Sequence, residues 1–329
     1  MTDKLRWGVL STADIGLQKT LPGLQRSERG EVAAIGSRDQ GRAQKAADEL
    51  GIPRAYGSYE ELLADPDIDA VYNPLPNHLH ARWTLEAARA GKHVLCEKPL
   101  AMDVEEAQGM IDGCREAGIL LGEGFMYRLH PQWVRVREIL AAGTLGDIHA
   151  VQVMFTYNNN DPDDIRNQPE MGGGGLMDIG CYCIDVARMV MGGVEPTGGS
   201  GLVRVDPDFG TDVLATAILS FEGDRHASFT CATRSSSDQR VHILGSEAHL
   251  TVEVPFNAPP DQQLRLLLSD GWPGNEPTVE LIPAADQYAL EGDAFAAAVL
   301  DGADLGWLAP ESGLEDLRIL TALRDGRSW

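Results

Sequence analysis

Between residues 5 and about 123, short runs of consecutive apolar residues alternate with stretches whose apolar positions recur every three or four residues. The runs at 5–10, 31–37, 70–73, 93–97 and 120–123 read as strands, and 42–50, 59–64, 78–90 and 104–117 as amphipathic helices. Strands that alternate with helices require a parallel sheet with right-handed crossovers, so this part predicts a doubly wound, Rossmann-type domain. Its ligands are then expected at the carboxyl ends of the strands.

From about Asp147 the pattern changes to strands in succession, at 148–157, 197–205, 213–221, 226–233, 240–244, 249–254, 263–268 and 278–282. Such a run predicts a large, open, mostly antiparallel sheet. One helix interrupts it, from near Asp178 to the glycine stop at 192–193, and helices at 286–300 and 310–323 close the chain. The expected organisation is an α/β chain: a dinucleotide-binding domain over 1–124 and an α+β domain over 125–329, its terminal helix packing back towards the first. A broad sheet with helices on one face leaves the other to be covered, which predicts a homodimer or homotetramer through that sheet.

Composition narrows the class. A chain of 329 residues with 43% hydrophobic content supports two cores without staples. The cysteines at 96, 114, 181, 183 and 231 are odd in number and lack framework spacing, and Cys181 and Cys183 have no neighbouring Cys/His partners of the zinc type. Reduced thiols, a cytoplasmic setting and no metal are expected. The N-terminus has no apolar leader and no segment approaches a membrane span. A formal charge of −23 repels polyanions, so nucleic acid and anionic membranes are not expected partners. Only five of the 27 basic residues are lysine, a bias that fits either life in high salt or an arginine-favouring genome.

The first strand leads into Ser11-Thr12-Ala13-Asp14-Ile15-Gly16, where the three fingerprint positions are the small residues Ser11, Ala13 and Gly16. Small residues let backbone amides and a helix N-terminus approach a pyrophosphate, so Ser11, Thr12, Ala13 and Ile15 are placed in a cofactor turn. An NAD enzyme usually carries an acid at the end of the second strand; here Ser37 and Arg38 suit a 2′-phosphate, so NADP(H) is favoured over NAD(H). Asp39 either caps the next helix or turns inward to restore NAD preference. Pro74, Leu75, Asn77 and His80 lie on an extended, proline-stiffened segment expected to border the nicotinamide ribose, with Asn77 able to cap the following helix.

Glu97-Lys98-Pro99 falls at the carboxyl end of a strand, where this architecture puts chemistry. Asp178 and Tyr182 are four apart on one helix and share a face, after a glycine run at 172–175 that gives the preceding loop freedom. Together they supply a cation, a carboxylate and a phenol. Tyr182 is the expected proton-transfer group for a carbinol that loses a hydride, with Lys98 lowering its pKa from about 10; two to three units correspond to roughly 3 to 4 kcal/mol. Asp178 would orient the hydroxyl and Glu97 would position Lys98 or touch the ribose. The reverse assignment, Lys98 as the proton-transfer group and Tyr182 as its partner, stays open. Arg128, His130 and Arg166 are placed on cleft loops, contacting substrate or cofactor phosphate, against the alternative of solvent exposure. Singly, Tyr182 reads as a core aromatic, Asp178 as a helix-start residue and Lys98 as a surface charge; their joint occurrence behind a nucleotide-type domain favours chemistry.

The segments Trp7 to Gly16, Asn73 to Asn77 with His80, Cys96 to Pro99 and Gly172 to Cys183 together resemble the Gfo/Idh/MocA oxidoreductase family over nearly the whole chain. The glycine run with Asp178, Cys181 and Tyr182, and Ser-Thr-Ala in the first turn, resemble the branch of NADP-dependent D-xylose 1-dehydrogenases, dimeric dihydrodiol dehydrogenases and sugar ketoreductases. The resemblance implies that Lys98 is the family's catalytic lysine, that Tyr182 holds its proton-transfer position, and that the sheet forms dimers or tetramers. Inositol dehydrogenase-like members carry histidine where this chain has Tyr182, which turns the expectation from cyclitols to aldoses or keto-sugars. Hydride transfer between NADP(H) and a sugar or polyol carbon is the leading expectation. Oxidation of a non-sugar vicinal diol and a catalytically silent NADP-binding sensor are the alternatives.

Overall fold

The computed structural model describes residues 4–272 and 274–327. Its strands are β1 (Leu5–Leu10), β2 (Gly30–Gly36), β3 (Arg54–Tyr56), β4 (Ala70–Asn73), β5 (His93–Glu97), β6 (Leu121–Gly124), β7 (Ile148–Asn158), β8 (Gly198–Val205), β9 (Asp212–Phe221), β10 (Arg225–Ala232), β11 (Arg234–Gly245), β12 (His249–Val252), β13 (Leu264–Ser269) and β14 (Thr278–Ile282). Its α-helices are α1 (Leu21–Arg26), α2 (Gln40–Leu50), α3 (Tyr59–Leu63), α4 (His80–Arg89), α5 (Val104–Glu116), α6 (Pro131–Ala141), α7 (Cys181–Val190), α8 (Gln287–Asp301) and α9 (Glu311–Arg324). Two compact units result: one takes the chain up to Met126 and resumes over Asp286–Leu314, the other takes Tyr127–Ala285 and the chain from Glu315 on.

The first unit holds a parallel sheet in the order β3-β2-β1-β4-β5-β6. Strand order reverses between β1 and β4, which opens a crevice at their carboxyl ends. The central strands are apolar without alternation: Leu5, Trp7, Val9 and Leu10 of β1 and every residue of β4 are buried. That is the signature of a sheet covered on both faces. A single cut at 124 assigned α8 to the second domain, and its packing corrects this. The Phe295 ring lies 5.2 Å from that of Trp7, the Ser27 hydroxyl donates to Asp293 at 2.5 Å, and Arg29 pairs with Asp301 at 2.5 Å. α8 returns to the parallel sheet, and the start of the terminal helix α9 joins it there, Gly313 lying against Glu123 of β6.

The second unit holds an eight-stranded sheet, β14-β13-β12-β11-β7-β10-β9-β8, antiparallel except between β7 and β10. Here burial alternates: Val213, Ala215, Ala217, Leu219 and Phe221 of β9 are buried while Thr216 and Ile218 are exposed. One face is therefore covered, by α7 and the turn that precedes it. The short β3 and the helix α6 escape the periodicity reading. Pro131 at the first position of α6 is a readable start signal, but its cap is His130 rather than Ser, Thr, Asp or Asn. Among the described residues no helix is long and apolar enough to cross a membrane.

Candidate active site

In the first unit the expected cofactor residues gather at the strand ends. The Ser11 amide donates to Gly36 O at 2.9 Å, and its φ of +119° is one that glycine normally supplies in this turn. A Cβ on Gly16 would lie 3.3 Å from Leu21 and 3.6 Å from Pro74, so the turn packs tightly beside the end of β4. Ser37 is buried and Arg38 exposed at the end of β2. Asp39 caps α2, its carboxylate accepting from the Arg42 amide at 2.9 Å, and so does not turn inward. Tyr59, absent from the expected set, places its phenol beside Ser11 and Arg38. Burial, the chief influence on its phenol, raises its pKa and keeps it protonated.

Two expectations on the next segment are corrected. Asn77 opens a 3₁₀ turn (Asn77–Leu79) whose cap position is Pro76, and α4 is preceded by Leu79 with no side-chain cap, so Asn77 does not cap the helix. His80 has no accessible surface: Nδ1 lies 3.0 Å from Pro99 O and Nε2 2.7 Å from Leu75 O. Both ring nitrogens face backbone carbonyls, the neutral ring donating to one of them, so the imidazole sits between Leu75 and Pro99 instead of touching a cofactor. Burial first, and to a lesser degree the Lys98 charge, pull its pKa down to about 4 against the opposing carbonyl contacts and hold it neutral.

Glu97 and Lys98 are half-buried at the end of β5, and the Lys98–Pro99 peptide is cis. Glu97 is fixed from below: the Tyr72 hydroxyl donates to Oε1 at 2.7 Å, Thr20 sits 2.8 Å from that hydroxyl, and the Lys98 amide donates to Oε2 at 3.2 Å.

In the second unit a π turn, Leu176–Gly180, precedes α7 and carries Asp178; Tyr182 follows within α7. Arg166 Nε lies 3.2 Å from Asp178 Oδ1, and the Tyr157 hydroxyl donates to Oδ2 at 2.6 Å. The Asp178 charge holds Arg166 well above its usual pKa, while burial, then Asp178, raises that of Tyr157. Arg166 therefore braces a carboxylate. Tyr182 is 5% exposed, its ring 5.7 Å from Tyr127, 5.6 Å from Phe155 and 5.2 Å from Phe256 between centroids. An aromatic collar thus keeps water from the Tyr182 ring.

The remaining corrections concern this unit. Arg128 is 1% exposed and ion-paired to Asp185, so it belongs to the core and to no cleft loop. His130 is buried at the start of α6, accepting from the Gln132 amide, and burial takes its pKa down to about 4. The glycine run is a close fit rather than a flexible hinge: a Cβ on Gly173 would lie 2.6 Å from Arg166 O, and one on Gly174 would overlap the Asp212 carboxylate. Tyr59 and Tyr157 are the functional neighbours that sequence reading missed; each comes from an element far along the chain from its partners, and no local motif marks either.

The model of the oxidoreductase family with an NAD-binding Rossmann fold matches residues 5–125, and that of the GFO/IDH/MocA C-terminal domain matches 133–251. An oxidoreductase of Rhizobium meliloti, ORF334, is 43% identical over 325 residues, 98% of this chain and 96% of that one. D-xylose 1-dehydrogenase (NADP(+)) 2 of Haloferax volcanii is 40% identical over 300 residues, 91% of this chain and 90% of its own. The structure of the 3-ketoreductase KijD10 from Actinomadura kijaniata, in complex with NADP and TDP-benzene, superposes with a TM-score of 0.91 at 34% identity, covering 99% of this chain and 98% of that one.

Proposed function

The chain belongs to the Gfo/Idh/MocA oxidoreductase family, and from that premise we propose that it is an NADP-dependent dehydrogenase or reductase acting between a sugar CH–OH and the corresponding carbonyl. The observation that carries the reading is Asp178, a carboxylate braced by Arg166 and Tyr157 one turn ahead of Tyr182. Such a group accepts a hydrogen bond from a substrate hydroxyl and directs it to the phenol.

The donor set suits NADP(H). Arg38 is exposed beside the Tyr59 phenol, Ser37 precedes it, and Asp39 is occupied as a helix cap. These residues would hold the 2′-phosphate, the turn of Ser11, Thr12, Ala13 and Ile15 the pyrophosphate, and Pro74, Leu75 and Asn77 the nicotinamide ribose. NADP(H), when bound, supplies the acceptor or donor of the hydride. Tyr182 takes the proton from the substrate hydroxyl during oxidation and returns it during carbonyl reduction. The cation of Lys98 favours that transfer, Glu97 holds the lysine's backbone, and Asp178 orients the hydroxyl. The five thiols, all buried and none in a disulfide, fit a reducing, cytoplasmic setting. Self-association through the open face of the second sheet is part of the reading, supported by Leu202, Ile218, Val279 and Leu281 exposed on it.

Initial rates with NADP⁺ and a panel of aldoses and vicinal diols, and with NADPH and keto-sugars, followed by nicotinamide absorbance, test the proposal. Tyr182→Phe should lower kcat by on the order of 10²-fold with NADPH binding intact. Tight cofactor binding without turnover of any substrate would overturn it in favour of a sensor.

A further inference from the structure

Asp212 opens β9 and is 8% exposed. Its Oδ2 accepts from the Leu176 amide at 2.6 Å, and Gly175 lies against the same carboxylate. The Leu176 amide is at the start of the turn that leads into α7, where N–H groups have no partner within the helix. A carboxylate placed there satisfies it and complements the positive end of the helix dipole.

The fit around this carboxylate is close on every side. Gly174, at φ +117°, leaves the space that Asp212 Oδ1 occupies, and a Cβ on Gly175 would approach Oδ2 to 3.3 Å. The Gly174 amide donates to Arg166 O at 2.9 Å, and the Asp178 amide donates to Gly174 O at 3.0 Å. One side chain from another strand thus fixes the backbone from which Asp178 departs and the backbone of the arginine that pairs with it. The glycines are needed because the carboxylate is there.

We propose that Asp212 is a positioning residue: through the amide of Leu176 and the close fit of Gly174 and Gly175 it sets where Asp178 and Tyr182 stand, and thereby the rate of the proton-coupled hydride transfer. This rests on the reading of Asp178 and Tyr182 given above. A carboxylate that merely caps a helix would alter how much protein is folded; a positioning carboxylate alters the rate constant of the protein that is folded. Misplacement of reacting groups by about 1 Å costs on the order of 10²-fold.

The test is single-turnover hydride transfer by the full-length protein with saturating NADP⁺ and the aldose or diol oxidised fastest in the panel, or NADPH and the keto-sugar if only reduction occurs. Amplitude reports the active fraction and the rate constant reports positioning. Asp212→Ala should bind NADPH normally and lose at least about tenfold in rate constant. Asp212→Asn keeps the shape and an acceptor for Leu176 but loses the charge, and should lose less. Should the alanine variant fail to fold, the asparagine variant decides. A wild-type rate constant with reduced amplitude or a lower melting temperature, while Tyr182→Phe is crippled, overturns the role of Asp212 alone. A Tyr182→Phe variant that turns over normally overturns the underlying site and this proposal with it.

Discussion

Ser11 leaves the ordinary backbone range in the first turn, where a non-glycine residue at φ +119° costs of order 1 to 3 kcal/mol. The Tyr59 phenol lies beside both this turn and Arg38, so turn and cation share one neighbour. Arg38→Ala should weaken NADP⁺ by about ten- to a hundredfold, the worth of a charge-assisted hydrogen bond, and leave NAD⁺ nearly unchanged. Tyr59→Phe should cause a smaller loss in the same direction, because the guanidinium remains but is less confined. Dissociation constants for both dinucleotides decide the matter. Equal losses for the two would mean that Arg38 does not read the 2′-phosphate.

At the level of elements, α7 and α9 are joined by charges that have left water altogether. Arg188 pairs with Asp316 at 2.7 Å, Asp316 lies 3.8 Å from Arg128, and Arg128 is paired with Asp185. Removing one carboxylate leaves buried guanidinium charge uncompensated, so Asp316→Ala should cost roughly 3 to 5 kcal/mol, read as a shift of the urea midpoint. A shift below about 1 kcal/mol would show that water reaches the pair. Arg128 also shows where sequence reading stops. Its type and loop position suggest a ligand, and only the distant Asp185 and Asp316 reveal a core ion pair. The central strands of the parallel sheet were legible because burial on both faces writes an unbroken apolar run, whereas the half-buried β3 was not, and Lys98, Asp178 and Tyr182 stood out because they lie in compact motifs. Tyr59, Tyr157 and Asp212 were not, because each acts on residues from a different segment. The placement of α8 with the first sheet escaped for the same reason: nothing local in its sequence states which sheet Phe295 will meet.

Over the whole molecule, the net charge of −23 and the buried histidines act on stability in different ways, and salt separates them. Self-repulsion among surface carboxylates weakens the folded state at low ionic strength, so the urea midpoint at pH 7 should rise with added KCl. His80 and His130 respond to pH instead. Burial lowers each from the ordinary 6.5 to about 4, so between those values the unfolded chain binds more protons than the folded one. Stability is complete above pH 6.5 and drains as pH falls towards 4, by up to roughly 3 kcal/mol for each histidine, against a typical total of about 5 to 15. Asp65 and Asp69 behave otherwise. Against the opposing effect of burial, amide and Tyr56 hydrogen bonds to Asp65, and Arg6 on Asp69, hold both below the ordinary 3.8, so their contribution is lost only in stronger acid. Protonating surface carboxylates near pH 5 relieves repulsion and would mask the histidine effect at low salt. In about 1 M KCl, where the screening length is near 3 Å, that compensation is removed while the cost of charging a buried imidazole persists. The urea midpoint in that salt should therefore fall by several kcal/mol equivalents between pH 7 and about 4.5. A midpoint that stays level or rises over that interval would show that neither imidazole is held neutral in the folded protein.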